Sequence, residues 1–414
     1  MKIDKDTQTL SDVSKVVDPS GGANQVRVRA YNERLVMSLV RRHQELSKAD
    51  IARRSGLSAQ TVSVIMRALE ADGLLIRGAP VRGRVGQPSI PMRLNPEGVL
   101  SLGLKIGRRS ADLVLMDFVG NVRRKAYKSY PYPKLDDILE FVRRGISDFS
   151  RHLTGQQLER ICGLGVAMPG EIWSWAETVG TPFEEMQKWR DADIASLLHA
   201  ASGLPVFLQN DATAACAAEL VFGLGSRHAD FAYFFVGMFA GGGVVLNHML
   251  YPGKSGNAGA FGSMPIPDGS GGTRQLIEGA SILVLEKMVE GAGRDASSIW
   301  NPPDEWDDFG PILDQWIEMS ARNLALASLA ACSVIDFEAI VIEGGFSAAI
   351  KRKLVDATRR SFEQLDLKGI SRPVFEEALV GSGARASGAA SLPLFARYLT
   401  DQAVLFKDML GEQE

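Results

Sequence analysis

The sequence predicts an α/β protein built in two parts, a short basic module followed by a long acidic one. Two observations carry that division. Over 414 residues the formal charge is only −3, yet residues 25–93 hold 13 Lys and Arg against 5 Asp and Glu, while residues 94–414 hold 30 against 40. The hydrophobic period changes at the same place, from helical spacing before Asn95-Pro96-Glu97-Gly98 to strands interleaved with helices after it. The length allows two or three folded units with full cores. A hydrophobic share of 45% with 23% charged residues excludes disorder, collagen and coiled coil. Cys162, Cys216 and Cys332 lie far apart and form no CxxC pair, so neither a disulfide framework nor a zinc ribbon is encoded. No apolar run reaches the roughly 18 residues that span a bilayer, and 1–22 lacks the apolar stretch of a signal peptide. The expectation is a cytoplasmic protein without a membrane partner.

In the basic part, Leu35, Val36, Leu39 and Val40 recur at the spacing of a helix with one buried face. Ser47 precedes a short helix from Lys48 to Arg54 as its cap, and Gly56 closes it. Ser58 caps the next helix, in which Val62, Ile65, Met66 and Leu69 form the apolar stripe and Gln60, Thr61, Ser63 and Arg67 stay outside. Two short helices joined through Ser55-Gly56-Leu57 predict a helix-turn-helix, whose second helix enters the DNA major groove. Residues 72–77 stop that helix and begin a strand. Arg82-Gly83-Arg84-Val85-Gly86-Gln87-Pro88 then reads as a basic hairpin tip, a wing that can reach phosphates or a narrow minor groove. Each part alone also has a plain role as solvated helix charge or polar turn. Their order makes 25–93 a winged helix-turn-helix DNA-binding domain after a flexible tail at 1–24, with Ser58, Gln60, Thr61, Ser63, Arg67, Arg82, Arg84 and Gln87 as candidate DNA contacts.

In the acidic part the pattern predicts strands at 100–106 and 111–118, a turn at Gly120-Asn121, and a helix burying Leu135, Ile138, Leu139, Val142, Ile146 and Phe149. A strand at 161–167, a helix near 193–202 and a strand at 204–209 follow. A second series has a helix at 211–222, strands at 231–236 and 244–247, long helices around 276–291 and 311–333, a strand at 339–343 and a final helix from Ala384.

Seven motifs in order now resemble the ROK family (repressors, open reading frames and sugar kinases), and within it the winged-helix transcriptional regulators. They are Leu46 to Ala52 with Gly56-Leu57-Ser58; Gly86-Gln87-Pro88; Gly163-Leu164-Gly165-Val166-Ala167-Met168-Pro169-Gly170; Gln209-Asn210-Asp211-Ala212; Gly241-Gly242-Gly243; Val341-Ile342-Glu343-Gly344-Gly345; and Ala384-Arg385-Ala386-Ser387-Gly388-Ala389-Ala390. The resemblance covers about residues 26–399. It implies two ribonuclease-H-like lobes, as in actin and hexokinase, with a cleft between them. One lobe is expected at about 97–209 plus the C-terminal helix and the other at 210–383, the whole of 94–414 serving as effector and oligomerisation domain.

Departures from the family pattern bear on chemistry. The family's phosphate hairpin, Asp-x-Gly-Gly-Thr, is replaced by Lys105-Ile106-Gly107-Arg108-Arg109. Lysine has no acceptor and repels a hydrated magnesium ion, so it cannot stand in for that carboxylate. The cationic hairpin either holds an anion or is a solvated strand end. The family's His and Cys zinc site should fall within 262–281, which contains neither residue type, so no metal is expected there. Asn210-Asp211 stands where the kinases place a sugar-binding Asn and the Asp that deprotonates the attacked hydroxyl. The family's Gly-Glu-x-Gly-His stretch reads Gly259-Ala260-Phe261-Gly262-Ser263, which removes a carboxylate and an imidazole that would grip sugar hydroxyls. A third family Glu aligns near Ile277 or Glu278. Asp211 has two readings that can both hold, a ligand contact and an N-cap for the helix at 212–222. Phe261 and Trp189 read as core aromatics or ligand-stacking faces.

The expectation is a non-enzymatic, cofactor-free repressor of carbohydrate-related genes, binding an inverted-repeat operator in double-stranded DNA as a homodimer or homotetramer. A small-molecule effector, a sugar or sugar derivative, would bind at Asn210, Asp211 and Gly259 and shift the population of DNA-competent states. The competing readings are a ligand-independent DNA-binding regulator and an active ATP-dependent sugar kinase.

Overall fold

A computed structural model describes residues 25–80, 89–170, 172–175, 181–300, 306 and 308–399, which fall into two compact units, one made of the chain up to Arg93 together with Tyr398 and Leu399, and one spanning Leu94–Arg397. The tail at 1–24 and the expected wing with Arg82, Arg84 and Gln87 lie outside the described residues. Among the described residues no helix is long and apolar enough to cross a membrane.

The first unit contains α1 (Gln25–His43), α2 (Lys48–Ser55), α3 (Ala59–Ala71), β1 (Leu75–Arg77) and β2 (Met92–Leu94). Its local chemistry follows the sequence closely. Ser47 Oγ accepts the Asp50 N–H at 3.2 Å, Gly56 ends α2 in the left-handed region at φ 71°, and Ser58 Oγ accepts the Thr61 N–H at 3.1 Å. Val62, Ile65, Met66 and Leu69 are the buried face of α3. β1 pairs with β2, and Leu46 bridges antiparallel to Met92, extending the small sheet by one residue pair.

The second unit uses one topology twice. Its first sheet has the order β5-β4-β3-β6-β7, from β3 (Leu100–Ile106), β4 (Ser110–Asp117), β5 (Val122–Ser129), β6 (Ile161–Met168) and β7 (Val206–Asn210). α4 (Leu135–Ser150) and α5 (Gly155–Glu159) precede β6, and α6 (Phe183–Asp191) and α7 (Ile194–Ser202) precede β7. After α8 (Asp211–Phe222), the second sheet runs β10-β9-β8-β13-β14, from β8 (Phe231–Val236), β9 (Ala240–Leu246), β10 (Met249–Tyr251), β13 (Ala339–Gly344) and β14 (Val374–Glu377). The intervening pieces are the hairpin β11 (Pro265–Pro267) and β12 (Thr273–Gln275), then α9 (Ile277–Ala280), α10 (Ile282–Gly291), α11 (Pro311–Val334) and α12 (Ala348–Glu363), with α13 (Ala384–Tyr398) last. In both sheets three antiparallel strands are extended by two parallel ones reached through helices, the arrangement expected of two ribonuclease-H-like lobes.

Several elements depart from the sequence expectations. β5 and β14 were not foreseen, because β5 (Val-Arg-Arg-Lys-Ala-Tyr-Lys-Ser) is mostly exposed and carries no apolar alternation. The expected helix at 276–291 is two helices, broken at Ser281, whose Oγ donates to Ile277 O and accepts the Ala240 N–H. The strand expected from Val244 begins at Ala240, so Gly241, Gly242 and Gly243 lie within β9 and not in a turn. Their missing side chains admit neighbours: a Cβ at Gly243 would stand 2.6 Å from Cys216 Cβ on α8, and one at Gly242 would stand 2.5 Å from the Phe261 ring. Phe261 stacks on Phe234 at 4.4 Å, and Trp189 is buried with its indole donating to Pro133 O, so both aromatics belong to the core.

α13 packs backbone against backbone. A Cβ at Gly165 of β6 would approach Ala389 O to 1.7 Å, one at Gly103 of β3 would approach Ala386 O to 2.3 Å, and one at Gly388 would approach Ala214 O of α8 to 1.8 Å. Gly165→Ala is therefore expected to destabilise the protein by about 3 kcal/mol, read from the urea midpoint at unchanged slope. Gly155→Ala, in open space, should stay within about 0.5 kcal/mol of the parent.

Candidate nucleic-acid interface and effector site

The outward face of α3 lies opposite its buried stripe. Gln60 and Arg67 are exposed, whereas Thr61 and Ser63 are half-buried. Ser58 is occupied at the helix start, its hydroxyl 2.8 Å from Thr61 Oγ1, so these two candidates serve each other as a cap. Arg67 Nε donates to Ser63 O at 3.2 Å, leaving the rest of its guanidinium facing solvent. Lys48 at the start of α2 reaches Ser63 Oγ at 3.4 Å, which sets an ammonium group beside the outward face of α3. Arg53 is paired with Asp50 at 2.6 Å and Arg54 is exposed. The unit presents a helix with a polar and cationic outer face, held by two capped helices whose apolar sides are satisfied internally.

In the second unit, Asn210 and Asp211 stand at the start of α8, while Gly259 lies against Gly243 of β9. Asn210, not Asp211, is the N-cap: its Oδ1 accepts the Ala212 and Thr213 N–H groups at 3.0 and 3.4 Å. The capping reading of Asp211 is thereby corrected, since it is the first helical residue and its own carboxylate turns to α13. Asp211 Oδ2 accepts from Arg385 at 3.2 Å, and the Arg385 guanidinium lies 4.9 Å over the Phe235 ring. Gly259 adopts φ 81°, and a Cβ there would stand 2.5 Å from Gly243 Cα, which in turn faces α8. The tight approach that only glycine permits therefore links the loop at Gly259 to the helix that carries Asp211.

The hairpin between β3 and β4 is tied down by its own side chains. Lys105 is buried and is not a solvated strand end. Its ammonium donates to Ser110 Oγ at 2.8 Å and Ser110 O at 3.2 Å and pairs with Asp112 at 3.4 Å, while Lys125 holds the other Asp112 oxygen at 2.9 Å. Burial, followed by repulsion from Arg385, pulls the Lys105 ammonium down to about 8. Arg108 crosses to the other lobe. Its Nη1 lies 3.8 Å from Glu286 of α10 and 3.8 Å from Met238 Sδ, and the guanidinium sits 5.5 Å over Trp300, whose indole donates to Glu286 at 2.6 Å. Arg109 at the hairpin tip is exposed.

Arg385, Glu286 and Trp300 were missed as site residues. Arg385 had one signal, a lone charge in a run of Ala, Ser and Gly. The partner of Lys105 was also readable, because a hairpin with Ile106 opposite Ala111 sets Lys105 against Asp112. Among the described residues no three His, Cys, Asp or Glu side chains gather as a metal-binding group.

A ROK family model matches residues 101–394, and a winged helix-turn-helix DNA-binding model matches residues 29–76. The chain belongs to the ROK family and carries a helix-turn-helix of the winged class ahead of its ROK domain. It is 26% identical to the xylose repressor of Bacillus subtilis (strain 168) over 248 residues, 59% of this chain and 62% of that protein. To the xylose repressor of Caldicellulosiruptor bescii it is 24% identical over 294 residues, 68% of this chain and 72% of that protein. The match thus spans about three fifths of the Bacillus relative's length. Among solved structures, a ROK family transcriptional regulator described as a homolog of the E. coli MLC protein aligns with a TM-score of 0.64 at 20% identity, over 93% of this chain and all of that one. A ROK family glucokinase from Streptomyces griseus, in complex with glucose and AMPPNP, aligns with a TM-score of 0.56 at 20% identity, over 71% of this chain and 98% of that one. These likenesses establish the shared fold.

The buried lysine gives a pH signature. Its ammonium is easier to deprotonate folded than unfolded, so between about pH 8 and 10.5 the unfolded chain binds more protons, and the stability cost of the buried charge fades as pH rises. Against Lys105→Met, the parent should gain stability on the order of 3 kcal/mol between pH 7 and 10.5. A flat difference across that window would show that the amine titrates normally.

Proposed function

We propose that this protein is a DNA-binding transcriptional regulator, a repressor of carbohydrate-related genes working in the cytoplasm, whose ROK domain binds a small molecule without phosphorylating it. The observation that carries the reading is the outward face of α3, with Gln60, Ser63 and Arg67 beside Lys48, in a unit where Lys and Arg outnumber Asp and Glu by 13 to 5. The xylose repressors among its relatives support the same class. Gln60 and Arg67 would meet base edges and Ser63 either bases or phosphate, with Ser58 and Thr61 fixing the helix start against the backbone. Arg82, Arg84 and Gln87 would supply the wing contacts. Two or four copies would match an inverted repeat, because one recognition helix covers only a half-site.

Two features support an effector role over catalysis. The position of the kinase hairpin's carboxylate is held by a lysine already bound to Asp112, and the candidate base Asp211 is already engaged by Arg385. An effector carrying hydroxyl groups would bind at Asn210, Asp211 and Gly259, where it would compete with Arg385 for the carboxylate. Arg108 ties the first lobe to the second through Glu286 and Trp300, so a ligand that moves the lobes must disturb that tie.

Two experiments test the reading. The double substitution Arg82→Ala plus Arg84→Ala should weaken operator binding and flatten its logarithmic salt dependence by about 0.9 for each phosphate that is no longer neutralised, whereas an unchanged slope would remove the wing from the interface. In a thermal-shift screen, a sugar, amino sugar, sugar phosphate or polyol should raise the melting temperature and change a tryptophan emission component absent from Trp300→Phe. No response to any of these would favour a ligand-independent regulator, and ATP turnover on a hexose that Asp211→Asn abolishes would favour a kinase.

A further inference from the structure

One large apolar side chain stands on the outward face of α3. Val64 is 48% exposed, and it lies in one row with Gln60 and Arg67, at spacings of four and three residues, opposite the buried Val62, Ile65, Met66 and Leu69. A β-branched residue at a solvent-facing helix position lowers helix propensity, and with about half its surface in solvent Val64 gains little packing from its own fold. It is flanked by residues able to read bases, and Lys48 lies on the same side. An isolated valine between Gln60 and Arg67 is far too small a patch to bury a protein interface. Base edges in the major groove are otherwise donors and acceptors, and the C5-methyl of thymine is their apolar feature. At about 1.5 Å per residue, Val64 stands roughly 6 Å along the helix from Gln60 and 4.5 Å from Arg67, so the three reach neighbouring base pairs.

We propose that Val64 is a specificity-determining residue that packs against a thymine methyl group in each operator half-site, between base pairs read by Gln60 and Arg67. The assignment rests on the DNA-binding reading proposed for α3 and adds the base it selects. Phosphate contacts from Lys48 and the wing arginines would set affinity without sequence, whereas Val64 acts through a single methyl group and is insensitive to salt.

The test starts from the full-length protein and a random duplex pool, from which a binding site is selected. Each thymine of that site is then replaced by deoxyuridine, which removes the methyl and keeps every hydrogen-bonding group. At one thymine per half-site the parent should lose about four-fold in affinity for the methyl group withdrawn. Val64→Ala, which removes only part-exposed packing and favours the helix, should bind the thymine and uracil duplexes equally with its salt slope unchanged. The proposal is overturned if the variant keeps the parent's thymine preference at every position, or if the parent selects a sequence but ignores all the methyl groups. Selection of no sequence at all would instead overturn the DNA-binding reading, and this assignment with it.

Discussion

The second unit depends on the close approach of α13 to its neighbours. The helix starts Ala-Arg-Ala-Ser-Gly-Ala-Ala-Ser, and its backbone lies against Gly103 and Gly165 of the first sheet and, through Gly388, against α8, which covers the second sheet. Such contacts leave no room for even a methyl group, so the small residues of three separate segments act as one packing surface. Arg385 is the exception on this helix start. Placed among residues without reach, it extends to Asp211 and over Phe235 and so joins α13, α8 and β8 at one point.

The same geometry explains why the site is polar yet largely self-satisfied. Asn210 spends its oxygen on the α8 cap, Asp211 on Arg385, and Lys105 its protons on Ser110 and Asp112. Burying such groups singly would be costly, and pairing them makes the burial tolerable. The effector proposed for this place would have to exchange for existing partners, which would couple its binding to rearrangement at the lobe junction. Arg108, with one lobe's hairpin behind it and Glu286, Met238 and Trp300 of the other before it, is a second tie across that junction. A sensor benefits from such coupling, because a ligand shifts an equilibrium only through contacts that differ between the two states.

Much of the first unit was legible in the sequence. The caps Ser47 and Ser58, the stop at Gly56 and the stripe Val62, Ile65, Met66 and Leu69 all act within a few residues, and each appears in the structure as its local chemistry implies. The strands of the second unit were legible where both faces are buried, as in β8 and β13. β5 was not, because an edge strand with charged side chains has no alternation to read. The helix break at Ser281 was also hidden, since it depends on a hydrogen bond from Ala240, 41 residues away.

By itself the sequence determined the basic and acidic division, the helix-turn-helix and the outward face of its second helix, and the replacement of the kinase carboxylate by Lys105. These rest on residue type and short spacing. Only the tertiary structure decided that Lys105 is buried, that Asn210 takes the cap and frees Asp211 for Arg385, and that Arg108 reaches the opposite lobe. Those pairings join residues up to 174 positions apart, and nothing in a local pattern fixes which charge will find which partner once the sheets have packed.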